Sequence, residues 1–541
     1  MILGQTFPYL RERNGFTLAD EWGANVVHQD LIRACIEYRV VDSVHFFLNP
    51  HSNLVKRASS AMRELNQEFG PQRVRTRSSS ELYTQDMEEP LVVVDGLSAD
   101  HDAALMRQAG DRDRFPFCYI THAVPMHPLA IPYMAMLTLG RPHDTIIVTS
   151  RAGQAAVTSF LESFSAFASE RWGAEVKSEV QIAHLPLGVD TQFLYPRPRA
   201  WCREILGLPP QATVALYLGR LTERGKADLE PLLKVFARLA GENAELQLMI
   251  AGKDGNERYA QQVEVMAAAF GMGDRVKLVV NFPYLLKPVL YSASDLFISP
   301  VDNVQETFGL AVVEAMASGL PVVASDWSGY RDLVLHGETG FLVPTLWNEV
   351  AAAEVFRVAP FAGLPEHYLA QRTAVDVEAL YHYWKRLAQD AGLRQEMGER
   401  GRQRAASEFC WSKVAPRYGE LWERQWERLQ RGREEPRPRW RGGFDAAFGQ
   451  FATEVLGGEL EVRCEREGER LLRENGELRT PAGIGSVTAR RLLQACEGRP
   501  RLVKDLLGES KSETGAALSW LLKLGYLKRN EPVFEQARST K

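Results

Sequence analysis

Residues 299–344 read SPVDNVQETFGLAVVEAMASGLPVVASDWSGYRDLVLHGETGFLVP, and this stretch decides the fold. Its apolar and polar segments predict a buried strand ending at Ser299, a polar loop, a helix over 307–318 and another buried strand over 321–324. Gly319 follows the helix, where glycine favours a helix end. A loop that leaves a strand's carboxyl end and enters a helix is where open α/β sheets bind ligands. We therefore expect a ligand site at this loop.

The start of the predicted helix is a candidate site for an anion. The first backbone N–H groups of a helix have no partner within it, and the helix dipole favours negative charge there. Here these groups belong to Phe308, Gly309 and Leu310. They would point at a bound anionic group, as helix N-termini do in phosphate sites.

Two carboxylates flank this helix start. Glu306 lies just before the helix, and Glu314 lies within the segment AVVEAMA, which is apolar on every side of it. A buried and unpaired carboxylate costs several kcal/mol, so Glu314 needs a dedicated partner. That partner is either a local salt bridge or hydrogen bond, or a bound ribose, as in nucleotide-binding folds.

Together with the segments FG, EAMA, GLPVV and GETG, this spacing resembles the E-x7-E motif of the retaining family-4 glycosyltransferases, which have the GT-B fold. The resemblance implies that Glu306 holds hydroxyls of a donor sugar and that Glu314 holds the ribose. Asp332 departs from the motif, because many relatives carry Glu there. The other donor-binding residues that the motif implies are Thr307, Phe308, Gly309 and Leu310.

Length and composition indicate a multidomain soluble protein. At 541 residues the chain is too long for one core, and three domains are expected. Apolar residues make up 45% and charged residues 25%, which is typical of a soluble globular protein. The net charge of −5 gives no indication of a nucleic-acid-binding surface. The six cysteines have neither CxxC nor metal-ligand spacing, which favours reduced thiols over a disulfide framework.

Membrane insertion is not expected. The N-terminus lacks the charged and then apolar pattern of a signal peptide, and the longest nearly apolar run, 128–140, is interrupted by Pro132. A span needs about 20 apolar residues, so we expect a cytoplasmic protein. Six basic residues lie within 56–77. They predict a solvated face, and the resemblance offers the alternative of peripheral docking on anionic lipid at the inner membrane face.

The first part of the chain, 1–195, is predicted to be a Rossmann-like domain on the acceptor side. Its apolar runs at 44–48, 91–95, 117–121 and 145–150 are typical of parallel strands. Gly23 precedes a helical segment and resembles the family's glycine loop beside the donor phosphates, with a plain turn glycine as the alternative. His122 directly follows a strand and resembles the family's histidine that contacts the donor sugar, although Ala123 replaces the Asp of many relatives.

The second part, 196–409, repeats strand and helix at regular spacing, which predicts another doubly wound sheet. Its strands are expected at 214–218, 246–251, 276–280, 296–299, 321–324 and 341–343. The first of these ends at Gly219 and Arg220, and Lys226 follows six residues later. The resemblance implies that Arg220 and Lys226 neutralise the donor diphosphate. No Asp-x-Asp pair occurs at a suitable strand end, so we expect no metal and no cofactor.

The remaining segments are less informative. Residues 182–196 resemble the family's link between the two domains, with Gly188 suited to a hinge, and 410–430 resemble the helix that crosses back to the first domain. Residues 352–373 are an insertion that either shapes an acceptor pocket or covers surface. The segment 431–443, rich in charge, Pro and Gly, predicts a linker.

The tail, 444–541, is predicted to form a separate accessory domain. Its helical blocks at 487–496, 502–507 and 513–524, followed by a short strand, resemble a winged-helix module. Residues 431–541 carry 21 Lys and Arg against 17 Asp and Glu, and the third block has no Arg, Asn or Gln to read bases. Binding of a peptide or protein, or self-association, is therefore favoured over DNA binding.

The resemblance implies a retaining glycosyltransferase, specifically a hexosyltransferase. It would move a sugar from a nucleotide-diphosphate sugar to a glycan, lipid, small molecule or protein. Glu306, His122, Arg220 and Lys226 are the candidate catalytic residues. Two alternatives stay open: a phosphorylase or sugar-phosphate transferase with the same fold, and an inactive scaffold that binds a partner through its tail.

Overall fold

The computed structural model describes residues 1–6, 23–48, 53–96, 104–105, 107–108, 112–122, 130–255, 258–358, 364–432, 456–473, 478, 480, 484–507 and 511–530. Contacts between residues divide the chain into two compact units, Met1–Trp440 and Arg441–Lys541. The division falls within the segment 431–443 that the sequence marks as a linker. Among the described residues, the first unit contains two parallel sheets and a two-stranded antiparallel ribbon, and the second contains one small antiparallel sheet.

The first sheet has seven parallel strands in the order β3-β2-β1-β4-β5-β6-β7. Its central strands are mostly apolar, with the polar residues Gln5 and Asp95 near the carboxyl ends of β1 and β4, because helices cover both faces. The strands are Ile2–Gln5 (β1), Ser43–Leu48 (β2), Val74–Ser78 (β3), Leu91–Gly96 (β4), Phe117–Ile120 (β5), Thr145–Val148 (β6) and Gln181–His184 (β7). The helices between them include Gly23–Glu37, Asn53–Phe69, Glu81–Thr84, Ala130–Leu139 and Arg151–Trp172.

The second sheet has six parallel strands in the order β10-β9-β8-β11-β12-β13. The order reverses between β8 and β11, and ligands of doubly wound sheets bind at such a reversal. The strands are Thr213–Leu218 (β8), Leu246–Gly252 (β9), Val276–Val280 (β10), Leu296–Ser299 (β11), Val322–Ser325 (β12) and Gly340–Val343 (β13). The α-helices are Arg199–Leu206, Glu230–Glu242, Tyr259–Ala269, Lys287–Ala293, Leu310–Ala317, Tyr330–Leu333, Val377–Gln389 and Ala391–Arg404, and shorter helical turns cover Gly273–Arg275, Tyr284–Leu286 and Ala405–Phe409.

Both predicted Rossmann-like domains are thus present. The helix after β11 begins at Leu310, three residues later than predicted, because Gly309 adopts a left-handed φ of +108° that a helix cannot continue through. Gly319 has a φ of +79° and ends this helix as predicted.

Two chain segments connect the domains, and they lie side by side. Val189 and Cys410 form a parallel bridge, and the N–H of Val189 donates to the carbonyl of Phe409 over 2.8 Å. A Cβ on Gly188 would lie 2.2 Å from the ring of Trp411, so this crossing requires glycine. The helix Trp411–Gly432 then packs on the first domain as predicted. Its buried residues there include Trp411, Val414, Tyr418, Leu421 and Trp422.

The predicted insertion, 352–373, forms the helices Ala352–Val358 and Leu364–Ala370 and leads into β15, Thr373–Val375. This strand pairs antiparallel with β14, Thr345–Trp347, to form a two-stranded ribbon. Residues 359–363 lie outside the described part of the chain.

The second unit contains a three-stranded antiparallel sheet in the order β17-β16-β18. Its strands are Glu461–Cys464 (β16), Arg501–Leu502 (β17) and Leu527–Arg529 (β18), and its helices are Arg466–Arg473, Ser486–Ala495, Val503–Leu506 and Lys511–Lys523. The sequence predicted the last three helices and β18 but not β16, β17 or the first helix. The winged-helix resemblance stays a prediction.

The predictions on membrane insertion and lipid docking concern several elements of the structure. No helix among the described residues is long and apolar enough to cross a bilayer. In the basic run, Arg77 on the edge strand β3 pairs with Glu81 over 2.8 Å, and Arg63 is exposed. The side chains of Lys56 and Arg57 lie outside the described residues. Lipid docking is therefore still a prediction.

Candidate active site

Glu306 and Lys226 come together at the carboxyl ends of β8 and β11. The ammonium of Lys226 donates to the carboxylate of Glu306, and both side chains are largely buried. The hydroxyl of Tyr330 lies 3.3 Å from the same carboxylate oxygen and 2.8 Å from the hydroxyl of Ser299. Burial and the nearby carboxylate raise the pKa of Tyr330, so its hydroxyl keeps the proton that it donates. A carboxylate and a cation are therefore held at the point where the strand order reverses.

Asn303, which is fully buried, fixes the loop that carries Glu306. Its side-chain amide donates to the carbonyl of Arg224 over 2.9 Å, and its side-chain oxygen accepts from the N–H of Gln305. The backbone carbonyl of Asn303 accepts from the N–H of Glu306 over 3.2 Å. The sequence analysis missed Asn303, although an Asn just after a strand is a known signal for a side-chain-stabilised turn.

Arg220 lies beside this pair on the loop that follows β8. Its guanidinium donates to the carbonyl of Gly225 over 2.8 Å and lies 3.4 Å from the amide oxygen of Gln305. A Cβ on Gly219 would lie 3.3 Å from the side chain of Lys226, so glycine lets this side chain approach the backbone. The structure thus brings Arg220, Lys226 and Glu306 into one site, as the sequence predicted from two distant loops.

The N-terminus of the helix Leu310–Ala317 faces this region from the Glu306 loop. The carbonyl of Gly309 accepts from the N–H groups of Val312 and Val313, so Gly309 caps the helix through its backbone. A Cβ on Gly309 would lie 2.5 Å from the ring of Tyr330. The side chain of Phe308 is buried and packs against Phe409. The polar groups that Phe308 offers at this turn are therefore its backbone N–H and carbonyl.

Glu314 is 96% buried and has two local partners. One carboxylate oxygen lies 2.7 Å from the ammonium of Lys287, and the other lies 2.8 Å from the hydroxyl of Tyr291. The salt bridge that the sequence left open as one alternative is therefore present. Because a carboxylate oxygen accepts more than one hydrogen bond, the ribose role stays a prediction. Lys287 and Tyr291 were not identified from the sequence.

His122 belongs to a buried chain of polar side chains in the first domain. Its Nε2 lies 2.9 Å from Nε2 of His28, whose Nδ1 lies 3.2 Å from the side-chain nitrogen of Gln5. Burial lowers the pKa of His122 to about 4, and burial together with His122 lowers the pKa of His28 well below 6.5. Both rings are therefore neutral at pH 7. When the Gln5 amide donates to Nδ1 of His28, His28 carries its proton on Nε2 and donates it to Nε2 of His122. His122 then carries its own proton on Nδ1.

His28 and Gln5 were missed because nothing in their local sequence links them to His122. His28 lies on the helix that begins at Gly23, and Gln5 is the last residue of β1. Only the sheet order places β1 next to β4, which in turn pairs with the strand that ends near His122. Gly23, which resembles the family's phosphate-loop glycine, is the first residue of the helix Gly23–Glu37, and residues 7–22 lie outside the described part of the chain. Its role beside the donor phosphates stays a prediction.

Two contacts join the domains at this site. The hydroxyl of Thr307 donates to the backbone carbonyl of His122 over 3.1 Å. Asp332 accepts from the N–H and the guanidinium of Arg151 over 2.7 and 2.6 Å, at the start of the helix Arg151–Trp172. Asp332, where the sequence departs from the family motif, therefore pairs across the domains.

The second sheet and its loops correspond to a known family. Residues 201–357 match the family model of glycosyl transferases group 1. This segment, which is less than half of the chain, is similar to that family. It contains Gly219, Arg220, Lys226, Glu306 and Glu314, whereas His122 and Gly23 lie outside it.

Curated relatives resemble part of the chain. The D-inositol 3-phosphate glycosyltransferase of Thermobispora bispora is 33% identical over 183 residues, which cover 31% of this chain and 42% of that protein. The phosphatidyl-myo-inositol mannosyltransferase of Mycobacterium leprae is 29% identical over 203 residues, or 37% of this chain and 50% of that protein. The chain thus matches half or less of the length of these two relatives.

Solved structures share the wider fold. Sucrose-phosphate synthase from Thermosynechococcus elongatus has a TM-score of 0.51 at 19% identity and covers 79% of this chain and 99% of its own. Anabaena HepE in complex with UDP has a TM-score of 0.53 at 18% identity, with 78% and 99% covered. These similarities confirm the GT-B fold that the sequence predicted.

Proposed function

We propose that the protein transfers a sugar from a nucleotide-diphosphate sugar to an acceptor, with retention of the anomeric configuration and without a metal. The observation that carries the proposal is the ion pair of Lys226 and Glu306, placed with Arg220 where the second sheet reverses its strand order. Cations and a helix N-terminus at this point suit a diphosphate, and a carboxylate beside them suits sugar hydroxyls.

The chemistry follows from the charges. When the bond between sugar and diphosphate breaks, negative charge develops on the departing diphosphate. Arg220, Lys226 and the N-terminus of the helix Leu310–Ala317 would stabilise that charge, which is usually the largest catalytic contribution. A bound diphosphate would replace Glu306 as the partner of Lys226, and the released carboxylate would then accept hydrogen bonds from the sugar. His122 would donate to the sugar from the first domain.

The relatives support the class of donor and suggest acceptors to test. Two of them are named for glycosyl transfer to an inositol phosphate and for mannosyl transfer to a phosphatidylinositol, and HepE was solved with UDP. Nucleoside diphosphates and inositol derivatives are therefore the first candidates for donor and acceptor. The cytoplasmic location and any contact with a membrane surface stay part of the proposal.

A thermal-shift panel with UDP, GDP and ADP, and then with their sugars, tests this function. We expect one nucleoside diphosphate to raise the melting temperature, and the matching sugar nucleotide to be turned over in the presence of EDTA. Arg220→Ala should lower that rate at least about tenfold, or about 1.4 kcal/mol. Glu306→Gln should also lower it, whereas Glu338→Gln, on an exposed loop, should not.

Three results would contradict the proposal. The first is the absence of stabilisation by any nucleoside diphosphate. The second is activity that disappears in chelator and returns with Mg²⁺ or Mn²⁺, which would overturn the metal-free site. The third is product formation that requires inorganic phosphate, because that would identify a phosphorylase.

A further inference from the structure

Two tryptophans form an exposed aromatic surface beside the loop that carries Glu306. The rings of Trp327 and Trp347 have centroids 6.0 Å apart at an angle of 33°. Trp347 is 44% exposed, and Trp327 is half-buried beside it. An aromatic ring that is exposed and supported by a second ring offers a face on which a ligand ring can pack.

This surface is attached directly to the candidate active site. The indole N–H of Trp327 donates to the backbone carbonyl of Asn303 over 3.0 Å. The same carbonyl accepts from the N–H of Glu306 over 3.2 Å. One oxygen atom therefore fixes both the aromatic surface and the carboxylate loop, so a ligand held on the rings lies next to the site of transfer.

The position of Trp347 is set by the ribbon of β14 and β15. Trp347 is opposite Thr373 in that ribbon, at the end of the insertion 352–373. The hydroxyl of Thr345 donates to the carbonyl of Asp326 over 3.0 Å, which ties the ribbon to the residue before Trp327. The last residue of the insertion thus helps to position Trp347, so the insertion contributes to the aromatic surface and does more than cover the second domain.

A charged pair borders the rings. The carboxylate of Asp326 lies 3.1 Å from the guanidinium of Arg331, and both side chains are well exposed, by 40% and 61%. Exposed pairs of this kind add little to stability, so both groups are available to exchange partners with a ligand. A carboxylate accepts hydrogen bonds and a guanidinium donates them.

We propose that Trp327, Trp347, Asp326 and Arg331 form a subsite for a polyhydroxylated ring, a pyranose or a cyclitol, of the acceptor. Such a ring has an apolar face of C–H groups that packs on an indole, and hydroxyls at its edge that pair with Asp326 and Arg331. The inference rests on the proposed transfer function, since it takes the ring to be the acceptor's. A nucleobase would also stack on indole, and the experiment includes it as a competing occupant.

Saturation-transfer NMR on the full chain tests the subsite. The probes are maltose, methyl α-D-mannopyranoside and myo-inositol at millimolar concentration, with uridine and adenosine as the competing class. The measurements are made with saturating nucleoside diphosphate, which blocks binding of the nucleoside probes at the donor site. Sugar bound beside Glu306 is distinguished by its insensitivity to substitution of Trp347. We expect saturation transfer to at least one sugar or cyclitol in the wild type. Trp347→Ala should weaken its binding at least about fivefold, and Trp347→Phe, which keeps a ring, should weaken it less.

Trp201→Ala is the matched control. Trp201 is 49% exposed on the helix Arg199–Leu206, so its removal changes the tryptophan content and the exposed apolar area in the same way. Equal signals in Trp347→Ala and Trp201→Ala, no signal from any sugar or cyclitol in the wild type, or a signal from the nucleosides alone would overturn the subsite. Failure of the proposed function is seen separately, as a wild type that binds no nucleoside diphosphate in the thermal-shift panel.

Discussion

Lys226 and Glu306 neutralise each other before any donor is bound. They come from loops 80 residues apart in the sequence, and both side chains are less than one-fifth exposed. A diphosphate entering the site must compete with Glu306 for the ammonium, and it frees the carboxylate when it succeeds. Donor binding and the release of Glu306 are therefore one event.

Lys226→Met is expected to weaken binding of the nucleoside diphosphate at least about tenfold, because a charge-assisted contact to a phosphate is lost. Isothermal calorimetry measures this directly. Lys234→Met, on the exposed side of the helix Glu230–Glu242, is the control and should bind as the wild type does. Unchanged affinity in Lys226→Met would show that this lysine serves Glu306 alone.

Glu314→Gln is expected to lower both stability and nucleotide affinity. The glutamine still accepts a hydrogen bond, but the partly buried ammonium of Lys287 loses its counter-charge, at a cost of about 1–3 kcal/mol in unfolding free energy. Lys287→Met removes the other partner of the same ion pair. The loss of unfolding free energy in this variant is compared with the loss in Glu314→Gln. If nucleotide affinity is normal in a folded Glu314→Gln protein, the glutamate has a structural role and does not hold the ribose.

Stability is expected to fall as the pH drops from 6.5 towards 4. Between these values the unfolded chain protonates His28 and His122, whereas the folded chain keeps both rings neutral, so protonation favours unfolding. The urea concentration at which half of the protein is unfolded, measured at pH 7 and at pH 5, reports the effect. His28→Gln should reduce the difference between the values at the two pH values. The exposed His382 provides a control, since His382→Gln should leave the difference as it is.

Gly188→Ala is expected to destabilise the connection between the domains by about 1–3 kcal/mol, because the added methyl group overlaps the ring of Trp411. Thermal unfolding of this variant is compared with that of Gly241→Ala. Gly241 lies in the helix Glu230–Glu242 with open space around its Cα, so alanine there should be neutral or stabilising. A normal melting temperature for Gly188→Ala would mean that the tryptophan ring moves aside at little cost.

A chain that ends at Trp440 is expected to remain folded and to bind the nucleoside diphosphate with unchanged affinity. This boundary keeps the compact unit Met1–Trp440 intact, and every proposed donor residue lies within it. Transfer to the acceptor is where we expect a loss, if the tail captures a peptide, a protein or a second subunit. Calorimetry and an acceptor assay on the same truncated protein separate the two roles. Lost nucleotide binding in the folded truncation would place part of the donor site in the tail.

The sequence predicted those features that depend on periodicity and on a local motif. Four strands of the first sheet and all six of the second follow from apolar runs, and Arg220, Lys226 and Glu306 were expected from the family resemblance on the loops after such runs. The strands β1, β3 and β7 were not predicted. The late start of the helix at Leu310 could not be predicted in this way, because it depends on the left-handed backbone of Gly309 against the ring of Tyr330.

Contacts between residues far apart in the sequence could not be predicted, for a different physical reason. Tyr330 approaches Glu306, and His28 approaches His122, only after a sheet has set the order of its strands. A buried carboxylate in an apolar helix indicates that some partner exists, as with Glu314, but the pattern does not say which residue supplies it. The sequence therefore posed the choice between a local partner and a ribose, and only the structure identifies Lys287 and Tyr291 as the local partners.

The crossing helix Trp411–Gly432 has a consequence for the order of events on the ribosome. The core of the first domain includes residues from this helix, among them Trp422 and Tyr418, beside Leu31 and Val92. The first sheet is synthesised early but lacks this part of its core for the time needed to translate the whole second domain, on the order of tens of seconds. The six-stranded sheet of the second domain is complete by Val343, so this sheet can form before the crossing helix is synthesised. The first domain would then be completed after the second, and in that interval it is the part exposed to chaperones and proteases.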